Sequence, residues 1–184
     1  TTVPDMTGSS NEIAAMILPS PWVVRHLAQV PASGRILDLA CGGGRHTRWL
    51  AAQGRSVLAV DRDQSALAGL QGLPGVAVLV ADLETDDCPL AGQRFAGVIV
   101  TNYLWRRRLP DVCALLAAGG VLIYDTFMLG NEAYGKPSNP EFLLRPQELR
   151  DVVGAAGLRE IAFEEGYTET PKPALRQAIC AVRE

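Results

Sequence analysis

Little in this 184-residue chain offers a metal, a disulfide framework or a membrane anchor. It has two histidines and four cysteines. His26 and His46 sit in no ligand motif, and Cys41, Cys88, Cys113 and Cys180 stand far apart with no C-x-x-C pair, so reduced thiols and no structural metal are expected. No apolar run approaches the ~20 residues of a spanning helix, and the first residues show no basic stretch leading into an apolar core and cleavage site. A soluble, cytoplasmic protein with no membrane partner is expected. Charge of one sign is also scarce. A formal net charge of −3 lacks the broad basic field that nucleic-acid phosphates call for, so no nucleic-acid partner is expected. The sequence contains neither a repeat nor a low-complexity stretch.

Apolar residues, by contrast, make up nearly half of the chain, enough for one well-packed domain and short for two. Residues 1–20 are polar and broken by Pro4 and Pro19, with a short apolar patch from Ile13 to Leu18. They read as an N-terminal arm or lid, ahead of a single domain over 21–184. Val23, Val24 and Leu27 follow Pro21 at helical spacing, which predicts a helix from Pro21 to about Val30. Then "RILDLA", "SVLAVD", "VAVLVAD", "FAGVIVT" and "VLIYDTF" read as five strands. "RHTRWLAAQG", "QSALAGL" and "WRRRLPDVCALLAAGG" read as helices between them, the last interrupted near Pro110. Strands apolar on both faces, separated by helices, predict an α/β, doubly wound, mostly parallel sheet. After a helix from about Pro146 to Ala156, the strands "LREIAFEEGY" and "ALRQAICAVRE" are joined by "TETPKP" alone. A link that short holds no parallel crossover, so this last pair is antiparallel and completes seven strands.

"LDLACGGGRHTRWL" ends the first strand and opens a helix. Its glycines let the backbone approach a ligand, and the free N–H groups of a helix start suit a carboxylate or phosphate. A plain strand-to-helix turn would look similar. Asp61 closes the second strand, where an acidic residue meets ribose hydroxyls in nucleotide folds, and Asp82 closes the third, where it can accept from an adenine amine. Each aspartate is equally a plausible helix cap or neighbour of one.

In this order and spacing the motifs resemble those of class I S-adenosylmethionine-dependent methyltransferases, with a Rossmann-like methyltransferase fold. Asp38, Ala40, Gly42 and Gly44 match the first motif, Ala40 standing where glycine is commoner. The resemblance runs from about Arg35 to Arg183. It implies S-adenosyl-L-methionine as cofactor, with S-adenosyl-L-homocysteine as product. It also implies a cofactor site of Asp38, Ala40, Cys41, Gly42, Gly43, Gly44, Asp61, Arg62, Asp82, Leu83 and Thr101. The segment "DTFMLGNEAYGKPSNPEFLLRPQEL" is similar to the matching part of the small bacterial tellurite-resistance-type enzymes. A nicotinamide-binding Rossmann enzyme is the competitor, but Thr47 stands where its fingerprint requires a small residue. A non-catalytic protein that binds S-adenosylmethionine or its product is the other alternative.

Methyl donation chiefly needs alignment and exclusion of water, and a general base only if the acceptor must lose a proton, so no catalytic residue is assigned. "TNYLW" lacks the N-P-P-Y/F-type sequence of many base and glutamine methylases, which favours a small-molecule acceptor. Asn102, Tyr103, Arg106, Phe127, Asn131 and Tyr134 are its expected contacts. Arg107 and Arg108 are expected on a solvated face. His46 is expected either at the site or on the surface, and Cys41 and Trp49 as packing residues.

Overall fold

The structure is a computed structural model that describes residues 17–184. The expected arm falls largely outside the described residues. Ser20 caps the helix α1 (Pro21–His26) by accepting from the Trp22 N–H, and Pro21 occupies the first turn, where a missing N–H costs nothing. A 3-10 turn, Leu27–Gln29, finishes that segment. The alternation then follows: β1 (Arg35–Leu39), α2 (Arg45–Ala52), β2 (Ser56–Asp61), α3 (Gln64–Ala68), β3 (Val76–Val80), β4 (Phe95–Thr101), α4 (Leu109–Ala114), β5 (Leu116–Phe127), α5 (Glu148–Ala155), β6 (Arg159–Thr168) and β7 (Ala174–Val182).

One seven-stranded sheet has the order β3-β2-β1-β4-β5-β7-β6. Strands β1 to β5 pair in parallel, and β7 runs antiparallel to both β5 and β6. The doubly wound, mostly parallel sheet with one antiparallel strand is therefore present. Because side chains alternate across a strand, Leu37, Leu58, Val98 and Leu122 pack on one face with α4 and α5, whereas Ile36, Val57, Ile99 and Ile123 pack on the other with α1 and α2. Both faces are covered, which is why these strands read as unbroken apolar runs.

Two sequence expectations are corrected. "LAAGG" was expected to continue the helix before β5, but it forms the start of β5, with Leu116 opposite Phe95 and a register shift before Gly97 meets Val121. A short apolar run has no period of its own, and pairing with β4 decides it. Pro110 interrupts nothing, because it stands in the first turn of α4, behind the 3-10 turn Arg106–Arg108.

Candidate active site

Strand parity aims the first motif. Asp38 shares its face with Ile36, so its carboxylate points under α2 and is buried, accepting from Thr47 Oγ1 at 2.7 Å. Burial pushes its pKa up to about 6, against the pull of the Thr47 bonds. Past β1 the chain turns through left-handed conformations at Ala40, Gly42 and Gly44, with φ of 54°, 54° and 80°. Gly42 and Gly43 would meet nothing with an added Cβ, so their open side is free for a ligand, whereas a Cβ on Gly44 would lie 2.5 Å from Leu70. Gly44 is thus held by packing as well as by its backbone.

Asp61 ties this loop to β2. Its Oδ2 accepts from Gly42 N–H at 2.8 Å and its Oδ1 from Asp63 N–H at 2.9 Å, leaving each oxygen lone-pair capacity toward the cleft. The cleft has a volume of about 560 Å³, and its walls include Ala40, Asp61, Arg62, Asp82, Leu83, Asn102, Tyr103 and Phe127. Asp82 Oδ1 accepts from Glu84 N–H at 2.9 Å, and Arg62 lies 4.0 Å from Glu84. The Tyr103 hydroxyl is buried with no hydrogen-bond partner, and burial pushes its pKa up to about 12.

Eight of the seventeen expected contacts thus share one cavity. Asp38, Cys41, Gly42, Gly43 and Gly44 lie in or under the loop beside it. Thr101, at the end of β4, has its Oγ1 3.4 Å from His46 Nδ1. Three of the acceptor contacts are placed differently. The Arg106 guanidinium binds Glu148 at 2.7 Å together with the carbonyls of Glu141 and Leu143, pinning the segment after β5. Asn131 is buried and bonds Leu175 N–H and the Pro137 carbonyl. Tyr134 is exposed, its ring 5.4 Å from that of Tyr167. Three consecutive arginines likewise part company: Arg107 is exposed, but Arg108 is buried and corrects the expectation of a solvated face. It donates to the Leu83 and Thr85 carbonyls and to Asp111, fixing the loop that carries Asp82 and Leu83.

His46 is neither exposed nor at the cleft wall. Its Nε2 accepts from the Ser20 N–H at 2.9 Å, and Ser20 Oγ donates to Asp125 Oδ2 at 2.7 Å. Burial, aided by Arg45, pulls its pKa down to about 3, so the ring is neutral. This bond set straps residues 18–21 across the carboxyl ends of β4 and β5. Ser20, Arg45 and Arg176 were missed in the sequence, where a serine before a proline and arginines in a helix or an alternating strand carry no distinguishing pattern. Among the described residues no helix is long and apolar enough to cross a membrane, and no group of three or more metal-ligating side chains is assembled.

Residues 36–120 match the family model of a methyltransferase domain. A curated relative, the tRNA U34 carboxymethyltransferase of Alcanivorax borkumensis, is 31% identical over 118 residues, or 58% of this chain. The match spans 36% of that relative's length. Of the solved structures, TehB from Haemophilus influenzae superimposes with a TM-score of 0.69 at 17% identity, covering 88% of this chain and 61% of TehB. The 1,6-didemethyltoxoflavin-N1-methyltransferase of Burkholderia thailandensis, solved with S-adenosylhomocysteine, gives 0.64 at 20% identity, covering 89% and 76%. Domain match and fold agree: residues 36–120 match a methyltransferase domain, and the described fold is similar to that of TehB.

Proposed function

We propose that this chain transfers the methyl group of S-adenosylmethionine to a small-molecule acceptor. The observation that carries the reading is Asp61, which holds the open Gly42–Gly43 loop with one oxygen and still faces the cleft between Ala40 and Asp82. In this reading Asp61 accepts from the ribose hydroxyls, Asp82 and Leu83 border the adenine, and the loop faces the methionine part. The bound sulfonium supplies an electrophilic methyl with a good leaving group. The residues of this chain do the rest by holding the acceptor in line and keeping water out.

The nicotinamide alternative is disfavoured by Thr47, whose side chain is fully buried and spent on Asp38. A tRNA acceptor, suggested by the curated relative, is weighed down by the net charge of −3. A cytoplasmic, reducing setting belongs to the same proposal, supported by four free thiols. Calorimetry tests the reading: saturable binding of S-adenosylmethionine and S-adenosylhomocysteine, and none of NAD or FAD, is expected. The reverse result would sink it.

A further inference from the structure

A second cavity of about 580 Å³ lies beside the cofactor cleft and shares Asn102 and Phe127 with it. Its walls come from Ser20 to Trp22, from Arg45 at the head of α2, and from the β6–β7 hairpin. Trp22, Phe127, Tyr167 and Ala174 give it an apolar body. A mononuclear oxyanion would fill a small part of that volume, whereas pockets of about 300 to 1,000 Å³ suit molecules with a ring or two.

Charges of both signs line the cavity. Arg25, Arg45, Lys172 and Arg176 face Asp125, Glu164 and Glu165, and the three carboxylates are already engaged. Asp125 accepts from Arg176 Nε at 2.8 Å and from Ser20 Oγ. Glu164 pairs with Arg25 at 2.7 Å, and Glu165 accepts from Gln147 and Gln177. Arg176 spends Nε and Nη2 on Asp125 and Asn102, and these bonds leave out Nη1. Among the described residues Lys172 forms no ion pair. Arg45 Nη1 donates to the Leu18 carbonyl at 3.1 Å, and burial with the repulsion of Arg176 lowers its pKa against the pull of Asp125 and Asp38. Arg176 adjoins the cofactor cleft, because its Nη2 is 2.7 Å from Asn102 Oδ1.

Two groups at the same junction already accept hydrogen bonds. His46 Nε2 is occupied by the Ser20 N–H, and both Asp125 oxygens accept hydrogen bonds. A carboxylate nucleophile suits this junction, because it arrives as an anion and asks no group to take a proton.

We propose that this second cavity is the acceptor site, and that its substrate is an organic acid with a ring-sized apolar body, methylated on a carboxylate oxygen. The inference rests on the methyl-transfer reading above. The carboxylate oxygen forms a bond to the methyl carbon as the sulfur–methyl bond breaks. Its negative charge and the sulfonium's positive charge cancel, S-adenosylhomocysteine departs neutral, and no proton moves. Trp22, Phe127 and Tyr167 hold the ring, while Arg176 and Lys172 hold the carboxylate.

Calorimetry on the full chain saturated with S-adenosylhomocysteine provides the test, with benzoate, phenylacetate and indole-3-acetate as probes and their primary amides as controls. At least one carboxylate is expected to bind, its amide at least tenfold more weakly. Both Arg176→Gln and the exposed-turn change Lys172→Gln are expected to erode that preference, with S-adenosylhomocysteine titration verifying that each variant is folded. Incubation with tritium-labelled methyl donor should yield label that mild base releases as volatile methanol. Base-stable label, equal binding of acid and amide, or no carboxylate binding to a protein that takes up S-adenosylhomocysteine would each overturn the inference. Failure to bind S-adenosylhomocysteine would instead strike at the methyl-transfer reading itself.

Discussion

Two buried ionisable groups on or next to α2 pull the stability of this protein in opposite directions over the same pH range. The His46 pKa is lowered from 6.5 to about 3, so between those values the unfolded chain takes up a proton that the folded one refuses, and stability falls with pH. From pH 8 to pH 5 the loss is about 2 kcal/mol, from about 1.5 pH units at 1.36 kcal/mol each. Asp38 acts in reverse. Its pKa rises from 3.8 to about 6, so the folded chain binds the proton more tightly and gains about 1.4 kcal/mol over the same interval. In the wild type the two nearly cancel.

Substitution separates them. His46→Gln keeps an acceptor for the Ser20 N–H but cannot titrate, so its stability should change between pH 8 and pH 5 by about 2 kcal/mol less unfavourably than that of the wild type. Asp38→Asn keeps an acceptor for Thr47 and should lose about 1.4 kcal/mol more than the wild type over that range. Urea unfolding at both pH values measures each difference, since every other titrating group is common to the proteins compared. A His46 ring that titrates near 6.5 by NMR, or a His46→Gln variant with the wild-type response, would refute the reasoning.

Asp61→Ala should weaken S-adenosylhomocysteine binding at least tenfold by calorimetry, through loss of charge-assisted bonds of about 1.5 to 3 kcal/mol each, in a protein that still folds. Gly44→Ala should cost about 2 to 4 kcal/mol by denaturant unfolding, because it combines a left-handed φ with a 2.5 Å approach to Leu70. In a Leu70→Ala background the cost should shrink, and a cost that did not shrink would mean the backbone alone is responsible. Trp22→Phe should lose about 1 to 3 kcal/mol, as the buried Ile179 carbonyl gives up the indole N–H 3.1 Å away, and a loss under 0.5 kcal/mol would mean water replaces it.

The sequence by itself determined the local and the repetitive. Apolar runs on β1, β2, β4 and β5, helices between them, and a link too short for a crossover were enough for the sheet and its antiparallel strand, because each rests on a period or a chain length. Placing Asp61 and Asp82 at the carboxyl ends of adjacent strands needed only strand order, and both line the cleft. What required tertiary structure was direction and partnership. Strand parity turned Asp38 under α2, the approach of Leu83 and Thr85 buried Arg108, and Glu148 holds Arg106 away from the cleft wall. The second cavity joins residues more than 150 positions apart, Trp22 and Arg176 among them. No local pattern encodes such a meeting, since packing alone brings α1 against the β6–β7 hairpin and leaves a space between.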